Sequence, residues 1–150
     1  FDRLTCQSTV NAVWPCAYEQ GRVAGFNMAG RKARYDGSMR MNAADFFGVS
    51  FISIGVVKPK DEGYEVHSQF RKDADIYRKL VFKDNRLVGA VLVGKVDGAG
   101  VLANLMRKRV DISRIKADLI AGHYDYARVL PLVKAEPQGF TEPEYGETLS

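Results

Sequence analysis

The run IYRKLVFKDNRLVGAVLV, Ile76 to Val93, decides the fold. Its two arms, Ile76–Phe82 and Leu87–Val93, are rich in β-branched and aromatic residues, and both flank Asp84–Asn85. That pair accepts the positive φ of a tight hairpin turn, with Lys83 and Arg86 closing the arms. Upstream, FFGVSFISIGVV (Phe46 to Val57) is apolar and β-branched, ends at Lys58–Pro59–Lys60, and predicts one strand. Tyr64 to Phe70 alternates Tyr64, Val66, Ser68 and Phe70 against Glu65, His67 and Gln69, which predicts a half-buried strand with the first set inward. Short links between successive strands argue for an antiparallel sheet of about four to five strands, without βαβ crossovers.

Helices flank this sheet. Pro15 suits a first helical turn, where its missing N–H costs nothing. The run PCAYEQGRVAGFNMAG then stops at Gly30, a natural residue just past a helix end. Ala17, Gly21, Gly25 and Ala29 recur every four residues and line one stripe. Two glycines in a helix cost about 1 kcal/mol each relative to alanine, so the stripe predicts a backbone packed close against it. Residues 31–45 are basic and polar and read as a connection. After Gly98 and Gly100, Val101 to Val110 predicts a helix with Leu102, Leu105 and Met106 on its apolar face. Asp111 or Ser113 is expected to cap a short further helix through Leu119. From residue 123 on, Pro131, Pro137 and Pro143 among acidic and aromatic residues predict an extended acidic tail, laid down by Tyr124, Tyr126, Leu130 and Leu132. The expected class is α+β: helix, sheet, helices, tail.

Composition bounds the function. The chain has 150 residues, 46% of them hydrophobic and 27% charged, which suits a single soluble-type core. No apolar run reaches the roughly 18 residues of a membrane span. Two cysteines build no disulfide framework, so a cytoplasmic setting is expected. The formal charge is +4, with the acidic excess (Asp125, Glu136, Glu142, Glu144, Glu147) gathered beyond residue 120. The basic residues are dispersed apart from Arg31, Lys32 and Arg34 and the run Arg107–Lys108–Arg109, and no stacking motif accompanies them, so nucleic acid is not an expected partner.

The chemistry-bearing residues are sparse. GKVDGAG (Gly94 to Gly100) has neither dinucleotide-loop spacing nor a Lys–Ser/Thr pair, and reads as a strand-to-helix turn. His67 and His123 stand far apart and give no metal spacing. Cys6 and Cys16 form no C-x-x-C pair. Cys16 falls in the first turn of the first helix, where the helix dipole favours a thiolate, but no base is near in sequence and packing is the expected role. By themselves these residues make no active site.

The stretch NAVWPCAYEQGRVAGFNMAG (Asn11 to Gly30) closely resembles the helix near the end of the FAD domain in the pyridine nucleotide–disulfide oxidoreductase superfamily. The nearer likeness is to its NADH oxidase, rubredoxin reductase and nitrite reductase-like members. It rests on Ala17, Gln20, Gly21, Arg22, Ala24, Gly25, Asn27, Met28, Ala29 and Gly30. FFGVSFISIG (Phe46 to Gly55) and YRKLVFKDNRLVGAVLVGKVDGAG (Tyr77 to Gly100) resemble the sheet of that family's C-terminal interface domain. The likeness covers about residues 1–110. It implies electron transfer from NAD(P)H through FAD to a disulfide, oxygen, a peroxide or a small redox protein.

The resemblance implies three divisions: 1–31 as the terminal helix segment of an FAD domain, 32–122 as the interface or dimerisation domain, and 123–150 as the tail. Trp14, Pro15 and Cys16 stand where relatives aim a helix start at the flavin C2 carbonyl region. The glycine-rich ADP-binding loop, the redox cysteine, the NAD domain and an FAD-contacting aspartate would lie upstream of Phe1. The chain is therefore expected to be the last third of such an enzyme, to hold FAD weakly alone and not to turn over. A homodimer built on the sheet and the helix 101–110 is expected. The first helix is expected to fold back on the sheet, detach or pair with another copy. The alternative is a stand-alone, non-catalytic dimerisation or binding module.

Overall fold

A computed structural model describes residues 1–123, 127, 129, 131 and 132. Helix α1 (Trp14–Met28) precedes five strands: β1 (Met41–Phe46), β2 (Val49–Gly55), β3 (Glu65–Arg71), β4 (Ile76–Lys83) and β5 (Arg86–Val93). Helices α2 (Ala99–Arg107) and α3 (Lys116–Ala121) complete the order. The strands form one sheet in the order β1-β2-β5-β4-β3, and every neighbouring pair is antiparallel. This is the α+β architecture that the sequence implies.

The β4–β5 hairpin is as expected: Asp84 and Asn85 both take positive φ (49° and 54°), and Lys83 pairs with Arg86. The strand expected over residues 46–57 is instead two. The chain reverses at Phe47 and Gly48, both at positive φ (53° and 83°), so β1 runs through residues read as a connection. Gly48 makes this reversal cheap. Strand β1 escapes pattern reading because all six of its residues are exposed, leaving no alternation to detect.

Strand register separates two faces. One carries Ile52 and Ile54 of β2, Leu80 and Phe82 of β4, and Leu87, Ala90 and Leu92 of β5, all packed in one core with α2 and α3. Leu102, Leu105 and Met106 of α2 are buried there, as their spacing predicts. Burying such side chains contributes about 1.5–3 kcal/mol each. Since α2 spends its apolar face on its own domain, that face is not open to a second copy. The outer face carries Phe46, Val49 and Phe51 beside Val91, Val93 and Tyr77, then Val66 and Phe70. Phe46 (60%) and Phe70 (64%) are largely exposed on it.

The orientation expected for β3 is therefore reversed. Val66 and Phe70 point outward, while Glu65 and His67, opposite Phe82 and Leu80, share the helix-covered face. Two contacts with neighbouring elements outweigh the hydrophobic alternation. His67 packs edge-on against Phe82 at 5.8 Å, and Glu65 pairs with Lys116 of α3. The expected cap of the last helix also differs: Ile115 precedes α3 without a side-chain cap, and Asp111 instead accepts the Ser113 N–H at 2.8 Å in a local turn. Beyond residue 123, Ala127, Val129, Pro131 and Leu132 have helical backbone. Val129 is buried in the core and Leu132 packs against it. The rest of the expected tail, including Tyr124, Tyr126 and Leu130, lies outside the described residues.

The Glu65 cluster gives the fold an acid sensitivity. The hydrogen bonds from His67 and Lys116 hold the Glu65 carboxyl below its ordinary value of 4.5. Its stabilising effect is present above that value and is lost as pH falls through the lowered one. A Glu65→Gln variant is expected to show a shallower loss of thermal midpoint between neutral pH and about pH 3 than the native chain. An unchanged acid slope would show that the cluster contributes nothing.

Candidate functional site

The residues singled out from sequence sit at the start of α1. Val13 is extended (φ −126°, ψ 146°), and its carbonyl accepts both the Cys16 N–H (3.1 Å) and the Ala17 N–H (3.2 Å). No side chain caps this end, and the first turn holds no acidic residue. The positive end of the helix dipole is thus left uncompensated by its own chain. Trp14 is 77% exposed, and its indole stacks on Tyr18 with ring centroids 5.5 Å apart. Cys16, by contrast, is buried. The three positions therefore differ: an exposed aromatic platform, a proline that opens the helix, and a thiol turned inward.

The small-residue stripe finds no cover within the described residues. A Cβ added at Gly21 or Gly25 would meet nothing within 4 Å. Tyr18 and Met28 on the same helix are also exposed. Polar side chains fasten the far end of α1 to residues 31–35. The Asn27 amide donates to the Ala33 carbonyl and accepts the Ala33 N–H, at 3.0 and 2.9 Å. Gln20 donates to the Tyr35 hydroxyl at 3.3 Å. Phe26 is flanked by the guanidinium groups of Arg22 and Arg31, 5.5 and 5.1 Å from its ring centre. Gln20, Arg22 and Asn27 of the resembling motif thus hold the chain as it leaves α1.

Sequence reading missed the joint at the root of β1. Asp2 is 3% exposed, and its carboxylate accepts the N–H groups of Leu4 (2.9 Å) and Thr5 (3.2 Å) with Arg40 3.9 Å away. Arg40 also donates to Asn11 (3.2 Å) and Thr9 (2.8 Å), and Asn11 donates to Ser38 at 2.6 Å. This network ties the segment leading into α1 to the strand leading into β1. Contacts spanning about thirty residues in sequence leave no periodic trace for a reader to find.

The remaining sequence candidates do not converge on chemistry. Cys6 is exposed, with the Arg109 guanidinium 4.0 Å from its sulfur. His67 is a packing residue, as its isolation suggested. GKVDGAG forms the turn from β5 into α2, with Gly94 and Gly98 at positive φ and Gly98 preceding the helix. No group of His, Cys, Asp and Glu that could hold a metal occurs among the described residues. None of the described helices is long and apolar enough to cross a membrane.

Comparison with known proteins bears on this arrangement. Residues 41–110, the segment from β1 to just past α2, match the model of the rubredoxin NAD+ reductase C-terminal domain. The chain is 35% identical over 121 residues to the epsilon subunit of the NADH-dependent phenylglyoxylate dehydrogenase of Aromatoleum evansii, covering 79% of this chain and 28% of that one. It is 32% identical over 97 residues to the nitrite reductase [NAD(P)H] of Bacillus subtilis (strain 168), covering 64% of this chain and 12% of that protein. Among solved structures, the NAD-dependent persulfide reductase of A. fulgidus shares the fold, with a TM-score of 0.60 at 21% identity over 76% of this chain and 24% of that one. The NADH:rubredoxin oxidoreductase of Clostridium acetobutylicum superposes with a TM-score of 0.52 at 25% identity, over 71% of this chain and 28% of that one. The chain spans 28% and 12% of the lengths of the two curated relatives.

Proposed function

Because residues 41–110 belong to the rubredoxin NAD+ reductase C-terminal domain family, we propose that this chain is the C-terminal portion of an FAD-dependent NAD(P)H oxidoreductase. Electrons would pass from NAD(P)H through FAD to a disulfide, oxygen or redox-protein acceptor. The observation that carries this reading is the coincidence of the family match with the structural unit running from β1 through α2. Residues 1–31 would be the last helix segment of the FAD domain, 32–122 the interface domain and 123–150 its tail. The setting would be cytoplasmic, and the partners a second copy and the remainder of the flavoprotein.

The start of α1 fits a flavin in three respects. Its positive end is uncapped and free of acidic side chains, which suits an acceptor atom that gains negative charge on reduction. Trp14 and Tyr18 offer a flat apolar surface beside it. Pro15 removes one N–H from that turn and fixes its φ. Trp14, Pro15 and Cys16 would thus form the flavin-facing end, with Cys16 supporting the turn from its buried side. FAD, when bound, supplies the hydride and electron transfer itself, and this chain's residues orient it and stabilise its reduced charge. Alone, the chain would hold FAD weakly and not turn over.

The decisive test is the visible spectrum of the full-length polypeptide containing this chain. Flavin absorption near about 450 nm that bleaches on addition of NADH or NADPH is the expected result. A colourless full-length product overturns the reading. It would favour the alternative of a non-catalytic binding or dimerisation module, for which the exposed Phe46, Val66 and Phe70 of the outer sheet face are the specific support.

A further inference from the structure

The two edges of the sheet are built differently. At β3, Glu65, His67 and Arg71 are charged or titratable, Glu65 is held by Lys116, and a short 3-10 turn at Lys72–Ala74 comes next. Such side chains guard an open edge. Strand β1 (MNAADF) has no lysine, arginine or proline. Its one charge, Asp45, is turned back into its own hairpin, accepting the Gly48 N–H at 2.8 Å and the Ser50 hydroxyl at 3.4 Å.

The pairing pattern fixes which backbone groups of β1 are spare. Phe46 and Val49 close a two-residue hairpin, and the Arg40 carbonyl accepts the Gly55 N–H at 2.8 Å. Even-numbered residues therefore direct their N–H and C=O toward β2, while Met41, Ala43 and Asp45 direct theirs away from the sheet. A strand added there must present a matching row of free groups. The β1 strand of a second copy presents that row.

We propose that β1 is the seat of a second copy of this chain, the two β1 strands pairing antiparallel about a two-fold axis through Ala43 to join both sheets. This deepens, and rests on, the dimer in the reading above. The axis sets Ala43 opposite Ala43 and Met41 opposite Asp45, so outward groups meet outward groups. Asn42 stands opposite Ala44, and Phe46 opposite Arg40, a cation facing an aromatic ring. No like charges face each other. A register centred on Asp45 would oppose two carboxylates and is disfavoured. The pairing is self-complementary, as a two-fold interface requires. It also makes the outer apolar faces of the two copies continuous, Phe46 lying at the join on each side.

The test uses the full-length polypeptide in a Cys6→Ser background. Paired residues of this type have Cα atoms about 5.5 Å apart, within the roughly 4.4–6.8 Å that a disulfide spans. Ala43→Cys is expected to give a covalent dimer under mild oxidation, whereas Ser68→Cys on the opposite edge gives none. Ala43→Lys, exposed and so tolerated by the fold, sets two ammonium groups face to face and is expected to halve the mass in light scattering while far-UV circular dichroism stays native. A native protein that is already monomeric overturns both the dimer and this interface. A dimer that is indifferent to Ala43→Lys and not cross-linked by Ala43→Cys overturns the interface alone and shifts the contact to another surface, such as the outer sheet face.

Discussion

Gly89→Ala is expected to cost about 4 kcal/mol or more, an exceptional loss for a single methyl group. A Cβ at this position would lie 2.0 Å from the Val56 carbonyl oxygen and 2.6 Å from its carbon. The obstacle is backbone and cannot swing aside. The Val56 N–H is bonded to the Val88 carbonyl at 2.9 Å, and the Val57 carbonyl accepts Lys79 Nζ at 2.8 Å. Val56 and Val57 thus lie strapped against the sheet where the chain leaves β2 for β3, and Gly89 is the gap that admits them. Urea denaturation checks this: the midpoint should fall far enough to leave the chain largely unfolded, since domains of this size have only about 5–15 kcal/mol in total. Gly25→Ala gives the opposite sign. In the middle of α1 with open space around it, the added methyl should stabilise the helix by about 1 kcal/mol. If both variants destabilise equally, the close approach at Gly89 is not what constrains it.

Phe82→Ala is expected to cost about 3–5 kcal/mol. Its side chain is 1% exposed and stands between the core under α2 and the polar cluster at the β3 edge. The His67 ring lies 5.8 Å from it and Lys116 Nζ sits 5.1 Å from its centre. Removing the ring opens a cavity and withdraws the surface that orients His67, Glu65 and Lys116 together. The variant should therefore also lose most of the acid sensitivity assigned to Glu65, a coupling that a simple cavity would not produce. A shift in urea midpoint with an unchanged slope, together with a flattened pH profile, is the expected pair of results. A loss below about 1 kcal/mol would mean that the ring is not a core element.

The outcomes at individual elements show what pattern reading can reach. The β4–β5 hairpin was legible because Asp84–Asn85 is a local conformational signal and its arms are buried strands of a common type. Helix α1 was legible from Pro15 and its glycine stop, and α2 from the spacing of Leu102, Leu105 and Met106. Strand β1 was not, since an exposed edge strand needs no hydrophobic pattern, only a partner to bond to. The face of β3 was read inversely because alternation gives two sets of residues but not which set faces inward. Lys116 and Phe82 decide that, and they lie far along the chain.

The candidate site divides in the same way. Trp14, Pro15 and Cys16 could be placed at a helix start from sequence, because proline and helix dipoles act locally. That Trp14 stands exposed on Tyr18 while Cys16 turns inward depends on the three-dimensional path of the chain around them. The Asp2–Arg40–Asn11 joint that sets α1 beside the sheet was equally out of reach. By itself the sequence determined the α+β class, the helices, the tight hairpin and the family likeness, since turn chemistry, periodicity and motifs are carried by neighbouring residues. Only the tertiary structure decided strand order, which face of the sheet is covered, and which edge is left open, because those depend on which distant groups bury or bond one another.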